Sequence, residues 1–254
     1  MLLHELKEKE DELRELRAAA LRVQLPAVSV EALGDGPVPS EGSSWSSVIV
    51  HFVRHGQAAH NVFAAQWRVA AKEGNPYTSP DCPVDPDLTA EGRADALRAG
   101  GELAKRLRGS VAVASSPMRR TLETWEIVKT QLKKDAFHRV VVLDDARERF
   151  GLHICDALRE YNRVGDFPNV DWSLSAEARA DPGRMDHREP YEDLLLRGAR
   201  LLATLRTLKE REVVVFSHSS FLLALFNGVL RAEGDVLRAP FTTGEVRSTI
   251  ISFH

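Results

Sequence analysis

The sequence SVIVHFVRHG, residues 47–56, changes character after Val53. The run from Ser47 to Val53 is rich in β-branched and aromatic residues, which is typical of a buried β-strand. Arg54, His55 and Gly56 follow at the point where that strand should end. In open α/β sheets, ligands bind just beyond the carboxyl ends of the strands. A cation and a titratable imidazole at such a position indicate a site for an anion, and Gly56 would let the backbone approach a ligand closely.

Two more apolar runs end in residues of the same kind. The run from Val111 to Ala114 is followed by SSPMRRTLET, residues 115–124, and the run from Val213 to Phe216 is followed by SHSS, residues 217–220. Three predicted strand ends therefore carry, in order, Arg-His, Arg-Arg and His, which strengthens the case for an anion site.

Together these three segments resemble the histidine phosphatase superfamily, which is also called phosphoglycerate-mutase-like. That family has an R-H-G strand end with Asn six residues after the His, an S-P-L-x-R-x-x-x-T segment, and a late S-H strand end. In this sequence Asn61 lies six residues after His55, Met118 replaces the usual Leu, and Thr124 closes the second segment. The resemblance covers about residues 47–254.

A fourth segment narrows the resemblance. The sequence RERFGLHICD, residues 147–156, is similar to the R-E-x-x-G-x-x-x-C-D segment of plant and fungal phosphatase-like members. It differs from the E-R-x-Y-G segment of the glycolytic mutases. This part of the sequence therefore favours a phosphatase over a mutase.

Predicted strands and helices alternate along the chain. We predict helices over Ala90–Leu107 (with Thr89 as N-cap), Pro117–Lys133, Tyr191–Lys209 and Ser220–Leu230, and strands near Val111 and over Arg139–Leu143, Glu212–Phe216 and Val246–Phe253. This alternation predicts an α/β fold with a doubly wound, mostly parallel sheet and helices on both faces. Residues 144–189 interrupt the pattern, and the resemblance implies that they cover the active site together with the loop after the first strand.

The N-terminal part differs from the rest, so we divide the chain into residues 1–46 and a histidine phosphatase domain, residues 47–254. Apolar residues occupy a and d positions of about three heptads, interrupted by Lys9; they are Leu6, Leu13, Leu16, Ala20 and Val23. We predict a charged helix that ends before Pro26, and then a Gly/Pro/Ser-rich linker over residues 34–47. The helix either docks on the domain or pairs with a second copy to form a homodimer.

Composition limits the expected partners. The 254 residues carry a net charge of −3, which gives no global field for nucleic acid or a membrane surface. No apolar run reaches the roughly 18 residues that a spanning helix needs, and the start of the chain does not resemble a signal peptide. Cys82 and Cys155 are expected to be thiols in a reducing compartment. We therefore predict a cytoplasmic protein without nucleic-acid or membrane partners.

His55 is the predicted nucleophile. Cleavage of a phosphate monoester needs cations around the phosphoryl oxygens, an in-line nucleophile and a proton for the leaving oxygen. A neutral imidazole nitrogen can attack phosphorus and form a phosphohistidine. The other ring nitrogen must then carry a proton and find an acceptor, often a backbone carbonyl. A structural histidine at a strand end is the alternative.

Two arginines are expected to hold the phosphate. Arg54 is the first, and the spacing of the family motif selects Arg120 as the second. With Ser116 as N-cap and Pro117 as the first helical residue, Arg120 would lie in the first turn, near the positive end of the helix dipole. Arg119 is then expected to be a solvated helix residue.

The remaining site residues follow from the resemblance. His218 is similar to the family's second histidine and would donate to a phosphoryl oxygen, with a core histidine as the alternative. Asn61 would contribute an amide donor to the phosphate, or else cap the loop. Glu148 aligns with the family's glutamate and is the predicted general acid; a surface charge is the alternative, and Asp156 and Asp144 are the nearby carboxylates. The role of Gln57 stays open.

These assignments predict a phosphomonoesterase that acts through a phosphohistidine intermediate on a small phosphorylated metabolite. Phosphoglycerate mutase-type transfer is one alternative, and a non-catalytic protein that binds a phosphorylated ligand is another. No cofactor or metal is expected, because His51, His55 and His60 match no strong zinc pattern and lack a nearby cysteine or acidic partner.

Overall fold

The fold is taken from a computed structural model, in which residues 2–33, 47–159, 163–175, 186–208 and 210–254 are described. The strands are β1 (Val28–Ala32), β2 (Ser47–Arg54), β3 (Val111–Ser115), β4 (Phe137–Val142), β5 (Glu212–Ser217) and β6 (Val246–Phe253). The α-helices are α1 (Leu2–Ala20), α2 (Ala59–Val69), α3 (Ala90–Arg106), α4 (Arg119–Val128), α5 (Arg163–Asp166), α6 (Tyr191–Thr207), α7 (Ser219–Ala224) and α8 (Asp235–Arg238).

The strands form one sheet in the order β1-β6-β2-β5-β3-β4. The pairs β2–β5, β5–β3 and β3–β4 are parallel, whereas β6 runs antiparallel to both β2 and β1. This arrangement confirms the predicted α/β fold with a mostly parallel sheet. Strand β1 was not predicted, because a short edge strand with half-exposed residues carries little periodic signal.

Helices cover both faces of the sheet, as predicted. Successive residues of a strand point to opposite faces, so Phe52 of β2 packs in one cluster with α1, α6 and α7, while Val53 packs in another with α3 and α4. Leu103 of α3 and Trp125 of α4 are almost completely buried in the second cluster. Each fully buried side chain of this size contributes about 1.5–3 kcal/mol to folding.

Two predicted helices differ at their ends. Helix α4 begins at Arg119 with Met118 as its N-cap, so the prediction of Ser116 as N-cap and Pro117 as first helical residue is wrong. The Ser116 hydroxyl instead lies 2.8 Å from a ring nitrogen of His218. Helix α7 begins at Ser219 and continues as a π-helical turn, Leu225–Val229. Thr89 caps α3 as predicted, because its hydroxyl accepts from the Gly92 N–H.

Helix α1 docks on the chain's own core. Leu16 and Ala19 are fully buried and belong to the cluster that contains α6, and Arg22 just beyond the helix pairs with Glu192 of α6 at 2.5 Å. Docking on the domain is one of the two alternatives predicted for this helix, and a homodimer through it stays a prediction. Residues 34–46 lie outside the described ranges, so the linker and the boundary at residue 46 also stay predictions. Among the described helices, none is long and apolar enough to span a membrane.

The order of the strands brings the three motif-bearing strand ends together. Strand β5 lies between β2 and β3, with Arg54 opposite Ser217 and Ser115 opposite Phe216. The residues that follow β2, β3 and β5 therefore meet at one edge of the sheet, as expected for a ligand site in an α/β fold.

Gly56 lets the loop after β2 approach the first turn of α3. A Cβ atom at Gly56 would lie 2.2 Å from the carbonyl oxygen of Gly92, and one at Gly92 would lie 1.9 Å from that of Gln57. The space beside Gly56 is thus filled by backbone, so the glycine serves helix packing, and the close approach to a ligand stays a prediction. Gln57 joins the same contact, since its side-chain oxygen accepts from the Thr89 hydroxyl at 2.8 Å.

Candidate active site

His55 lies directly after β2, and one of its ring nitrogens makes a hydrogen bond to the backbone. Its Nδ1 is 2.7 Å from the carbonyl oxygen of Gly56, to which it can only donate. The predicted backbone acceptor is therefore present, and Nε2 is left with its lone pair. Burial lowers the pKa of His55 well below its usual value, and the charges of Arg120 and Arg54 lower it further. The ring is neutral near pH 7, which is the form that a nucleophile requires.

Arg54 is next to His55 on the wall of a pocket of about 630 Å³. Its Nη1 donates to the carbonyl oxygen of Phe241 at 2.6 Å. Its Nε is buried and has no hydrogen-bond partner among the described residues. Burial lowers the pKa of Arg54, and the charge of nearby Glu148 raises it. The guanidinium thus keeps an unused donor at the place where the sequence predicts a phosphate.

His218 lies beside His55, with 5.1 Å between the ring centroids and the ring planes tilted by 58°. Its Nδ1 accepts from the Nε of Arg120 at 3.2 Å. In the neutral ring Nε2 then carries the proton, and it donates to the Ser116 hydroxyl at 2.8 Å. Burial lowers the pKa of His218 well below its usual value, followed in size by the charge of Arg120. The structure places His218 next to His55, and protein atoms contact both of its ring nitrogens.

Arg120 is completely buried and held by three acceptors. Besides His218, its Nη1 donates to the Cys155 carbonyl and its Nη2 to Asp156, each at 3.0 Å. Neither Arg120 nor His218 is among the residues that line the pocket. Both lie one layer behind His55, so contact of either side chain with a phosphate stays a prediction.

Arg119 points in another direction. Its guanidinium pairs with Asp87, Glu123 and Asp166 at 2.7, 3.1 and 2.5 Å, and the side chain is 22% exposed. It therefore lies in a surface network of carboxylates, and the structure separates it clearly from buried Arg120.

The comparison with known families agrees with this arrangement. The model of the histidine phosphatase superfamily (branch 1) matches residues 50–253. The chain belongs to the histidine phosphatase superfamily. Phosphoglycerate mutase-like protein 1 of Arabidopsis thaliana is 28% identical to this superfamily member over 235 residues, which is 80% of each chain.

Solved structures show the same fold. A putative α-ribazole-5′-P phosphatase from Escherichia coli has a TM-score of 0.51 at 16% identity, over 79% of this chain and 89% of the other. The ecdysone phosphate phosphatase from Bombix mori, solved with tungstate, has a TM-score of 0.50 at 19% identity, over 78% of this chain and 83% of the other. At such identities these structures establish the histidine phosphatase fold and nothing more specific.

Glu148 of this superfamily member lines the pocket and also caps a helix. Its Oε1 accepts from the backbone N–H groups of Phe221 and Arg149, each at 2.9 Å, and its Oε2 accepts from that of Ser220 at 3.1 Å. The carboxylate is thus fixed at the start of α7, directly after His218. These hydrogen bonds argue against the alternative that Glu148 is only a surface charge.

The other candidate carboxylates are held elsewhere. Asp156 accepts from Arg120 with Oδ1 at 3.0 Å and from Arg188 with Oδ2 at 2.8 Å. Asp144 accepts from the Ser175 hydroxyl at 2.8 Å and does not line the pocket. Both oxygens of Asp156 accept from guanidinium groups, whereas those of Glu148 accept from backbone N–H groups. The role of Glu148 as general acid stays a prediction.

Asn61 has one of the two roles that the sequence left open. Its Oδ1 accepts from the Ala58 N–H at 2.9 Å at the start of α2, so the capping role is present. The side chain also lines the pocket, with Nδ2 3.2 Å from Nε2 of His60. A donor role toward phosphate stays a prediction.

No group of three or more candidate metal-ligating side chains exists within the described residues. His51 lies deep in the sheet, where Ser248 and Glu212 contact its two ring nitrogens at 2.7 and 2.9 Å. It therefore cannot join His55 and His60 as a ligand without breaking both contacts.

Sequence reasoning missed part of the pocket wall. The loop after β2 and residues 144–189 both line the pocket as expected. Tyr77 comes from the first of these segments and Arg188 from the second. Helix α1 also contributes, through Asp11, Glu12 and Glu15. No signal in the sequence could show this, because the charges of a surface helix do not reveal which surface they face.

Proposed function

We propose that this protein is a phosphomonoesterase that forms a phosphohistidine at Nε2 of His55. The observation that carries the proposal is the 2.7 Å contact of Nδ1 with the Gly56 carbonyl. It fixes the tautomer of a buried, neutral ring, and it leaves the other nitrogen as the nucleophile. Membership in the histidine phosphatase superfamily supports a phosphatase or mutase type of enzyme.

In the first step, the lone pair of Nε2 forms a bond to phosphorus while the bond to the ester oxygen breaks. Glu148 gives its proton to the leaving oxygen. Arg54 neutralises charge on the phosphoryl oxygens, and the charge of buried Arg120 adds to this from behind His55. His218 joins them by exchanging its Nε2–H bond to Ser116 for one to a phosphoryl oxygen. In the second step, Glu148 accepts a proton from water as the water oxygen attacks phosphorus, and inorganic phosphate leaves with His55 restored.

Hydrolysis is favoured over phosphoryl transfer by the segment around Glu148, which has the phosphatase-like pattern and not that of the glycolytic mutases. The pocket of about 630 Å³ would accept a small phosphorylated metabolite. Cytoplasmic location and the absence of nucleic-acid partners belong to this proposal as predictions of the sequence.

The test is phosphate release by the purified full chain from sugar phosphates, phosphoglycerates, nucleotides and p-nitrophenyl phosphate, with interconversion of phosphoglycerates followed in parallel. Wild type should release phosphate and trap an acid-labile, base-stable phosphoenzyme, and His55→Ala should lose both. His138→Ala, which changes an exposed histidine, is the control and should keep both. A label on another residue would contradict the mechanism, and interconversion without release would favour a mutase.

A further inference from the structure

His60 is a buried imidazole on the pocket wall for which the proposed mechanism has no use. It is the second residue of α2 and is 6% exposed. Its ring centroid lies 5.8 Å from that of His55 and 6.1 Å from that of Tyr77. A phosphoryl group attached to His55 would therefore lie in the space next to this ring.

The hydrogen bonds around Asn61 determine which nitrogen of His60 carries the proton. The Ala58 N–H donates to Oδ1 of Asn61 at 2.9 Å, which fixes the orientation of the amide. The Nδ2 group must then be the donor that faces Nε2 of His60 at 3.2 Å. Since Nε2 accepts, a neutral ring carries its proton on Nδ1.

The ring is neutral and its Nδ1–H donor is unused. Burial lowers the pKa of His60 well below its usual value, and the charges of Arg120, Arg54 and His153 lower it further. Nδ1 is buried and has no hydrogen-bond partner among the described residues. The same holds for Nε of Arg54. Buried polar groups in native proteins nearly always have a partner. Two unused donors on residues that line one pocket therefore indicate a ligand that brings acceptors.

We propose that His60 is a further substrate-binding residue, whose neutral ring donates Nδ1–H to an oxygen of the phosphoryl group at His55. Asn61 acts through His60 as a positioning residue, because its amide holds the ring in the donating tautomer. This inference rests on the proposed function, since it assumes that a phosphoryl group occupies the pocket. A neutral donor adds a hydrogen bond there without adding repulsion to Arg54 and Arg120.

Binding of orthovanadate, a mimic of the phosphoryl group, tests the proposal without turnover. Calorimetry on the full chain should show that His60→Ala binds orthovanadate about 10- to 150-fold more weakly than wild type, the range for a hydrogen bond to a charged group. His60→Gln should recover part of the loss, because its amide can donate. His51→Gln is the matched control: it changes a buried histidine away from the pocket, so it should leave the affinity unchanged.

The position of the proton on the His60 ring can be measured directly. If His60 were only structural, orthovanadate would not change the resonance of that proton. In ¹⁵N-histidine-labelled wild type, NMR should place the His60 proton on Nδ1, and orthovanadate should shift that proton resonance downfield. In Asn61→Ala the preference for Nδ1 should weaken, and Asn61→Ala should add little to the loss of affinity already caused by His60→Ala. Additive losses would overturn the positioning role of Asn61.

The outcomes separate the two proposals. If wild type neither binds orthovanadate nor releases phosphate from any substrate, the proposed function itself fails. If wild type binds and folded His60→Ala binds equally well, only the role of His60 fails. If His60→Ala does not fold, His60→Gln and the wild-type NMR decide, and a proton on Nε2 in the wild type overturns the inference.

Discussion

Glu148→Gln changes a side chain that has two roles in our proposal, as a helix cap and as an acid. The cap is visible: both carboxylate oxygens accept backbone N–H groups, with Oε2 facing Ser220 at 3.1 Å. In the variant, the amide NH₂ of Gln would face either the Ser220 N–H or the N–H groups of Arg149 and Phe221, and it cannot accept a hydrogen bond from any of them. At least one charge-assisted hydrogen bond is lost, which costs about 1.5–3 kcal/mol of folding free energy. For a chain of this size the melting temperature should fall by about 3–12 °C.

Substrates with different leaving groups separate the effect of Glu148→Gln on catalysis from its effect on stability. An alkyl phosphate needs a proton on its leaving oxygen, so Glu148→Gln should reduce kcat/KM about 10²- to 10⁴-fold. The leaving group of p-nitrophenyl phosphate hardly needs a proton, so its loss should be small. Any shift of His218 caused by the weakened cap slows both substrates alike. The ratio of the two kcat/KM values therefore reports the acid role alone.

Glu123→Gln is the matched control for this experiment. Its carboxylate also accepts a backbone N–H, from Leu88 at 2.9 Å, but it does not line the pocket. The control should lower the melting temperature and leave the substrate ratio unchanged. If Glu148→Gln slows both substrates equally, the acid role is refuted and only the cap remains.

Three further predictions follow from the site. Arg120→Ala should cost about 10²–10³ in kcat/KM, far more than Arg119→Ala, and equal losses would refute the choice of Arg120. EDTA should leave phosphate release unchanged while vanadate inhibits it; loss of activity with EDTA, restored by zinc or magnesium, would favour a metal site. Four histidines have pKa values that are lowered chiefly by desolvation: His55, His60, His153 and His218. Below about pH 6.5 these histidines bind protons in the unfolded chain but not yet in the folded one. The free energy of unfolding should therefore decrease as the pH falls, by about 1.4 kcal/mol for each pH unit and each histidine. Burial raises the pKa of Asp85 to about 6, so the folded chain takes up a proton there below pH 6. This uptake offsets the loss of stability caused by one of the histidines. Thermal melts from pH 7.5 to 5 check this, and the slope should shrink by about one proton in His153→Phe; a melting temperature independent of pH would contradict it.

Much of the fold could be predicted because its signals are local. The continuous apolar runs of β2 and β5 and the Thr89 cap of α3 each depend on residues close together in sequence, and the structure has all three. The start of α4 was predicted wrongly, since the Ser116 hydroxyl is used by His218, about a hundred residues later in the chain. Propensity alone could not show that competition.

The family and the mostly parallel sheet could be predicted from the sequence, because the motifs and apolar runs that indicate them are local. The tertiary structure set the features that depend on long-range contacts. It placed β5 between β2 and β3, tied Arg120 to Asp156, turned Glu148 into a cap of α7, and laid the carboxylates of α1 along the pocket. Each of these contacts joins segments far apart in the chain, and its geometry is fixed by how the layers pack on the sheet, which no local pattern of residues records.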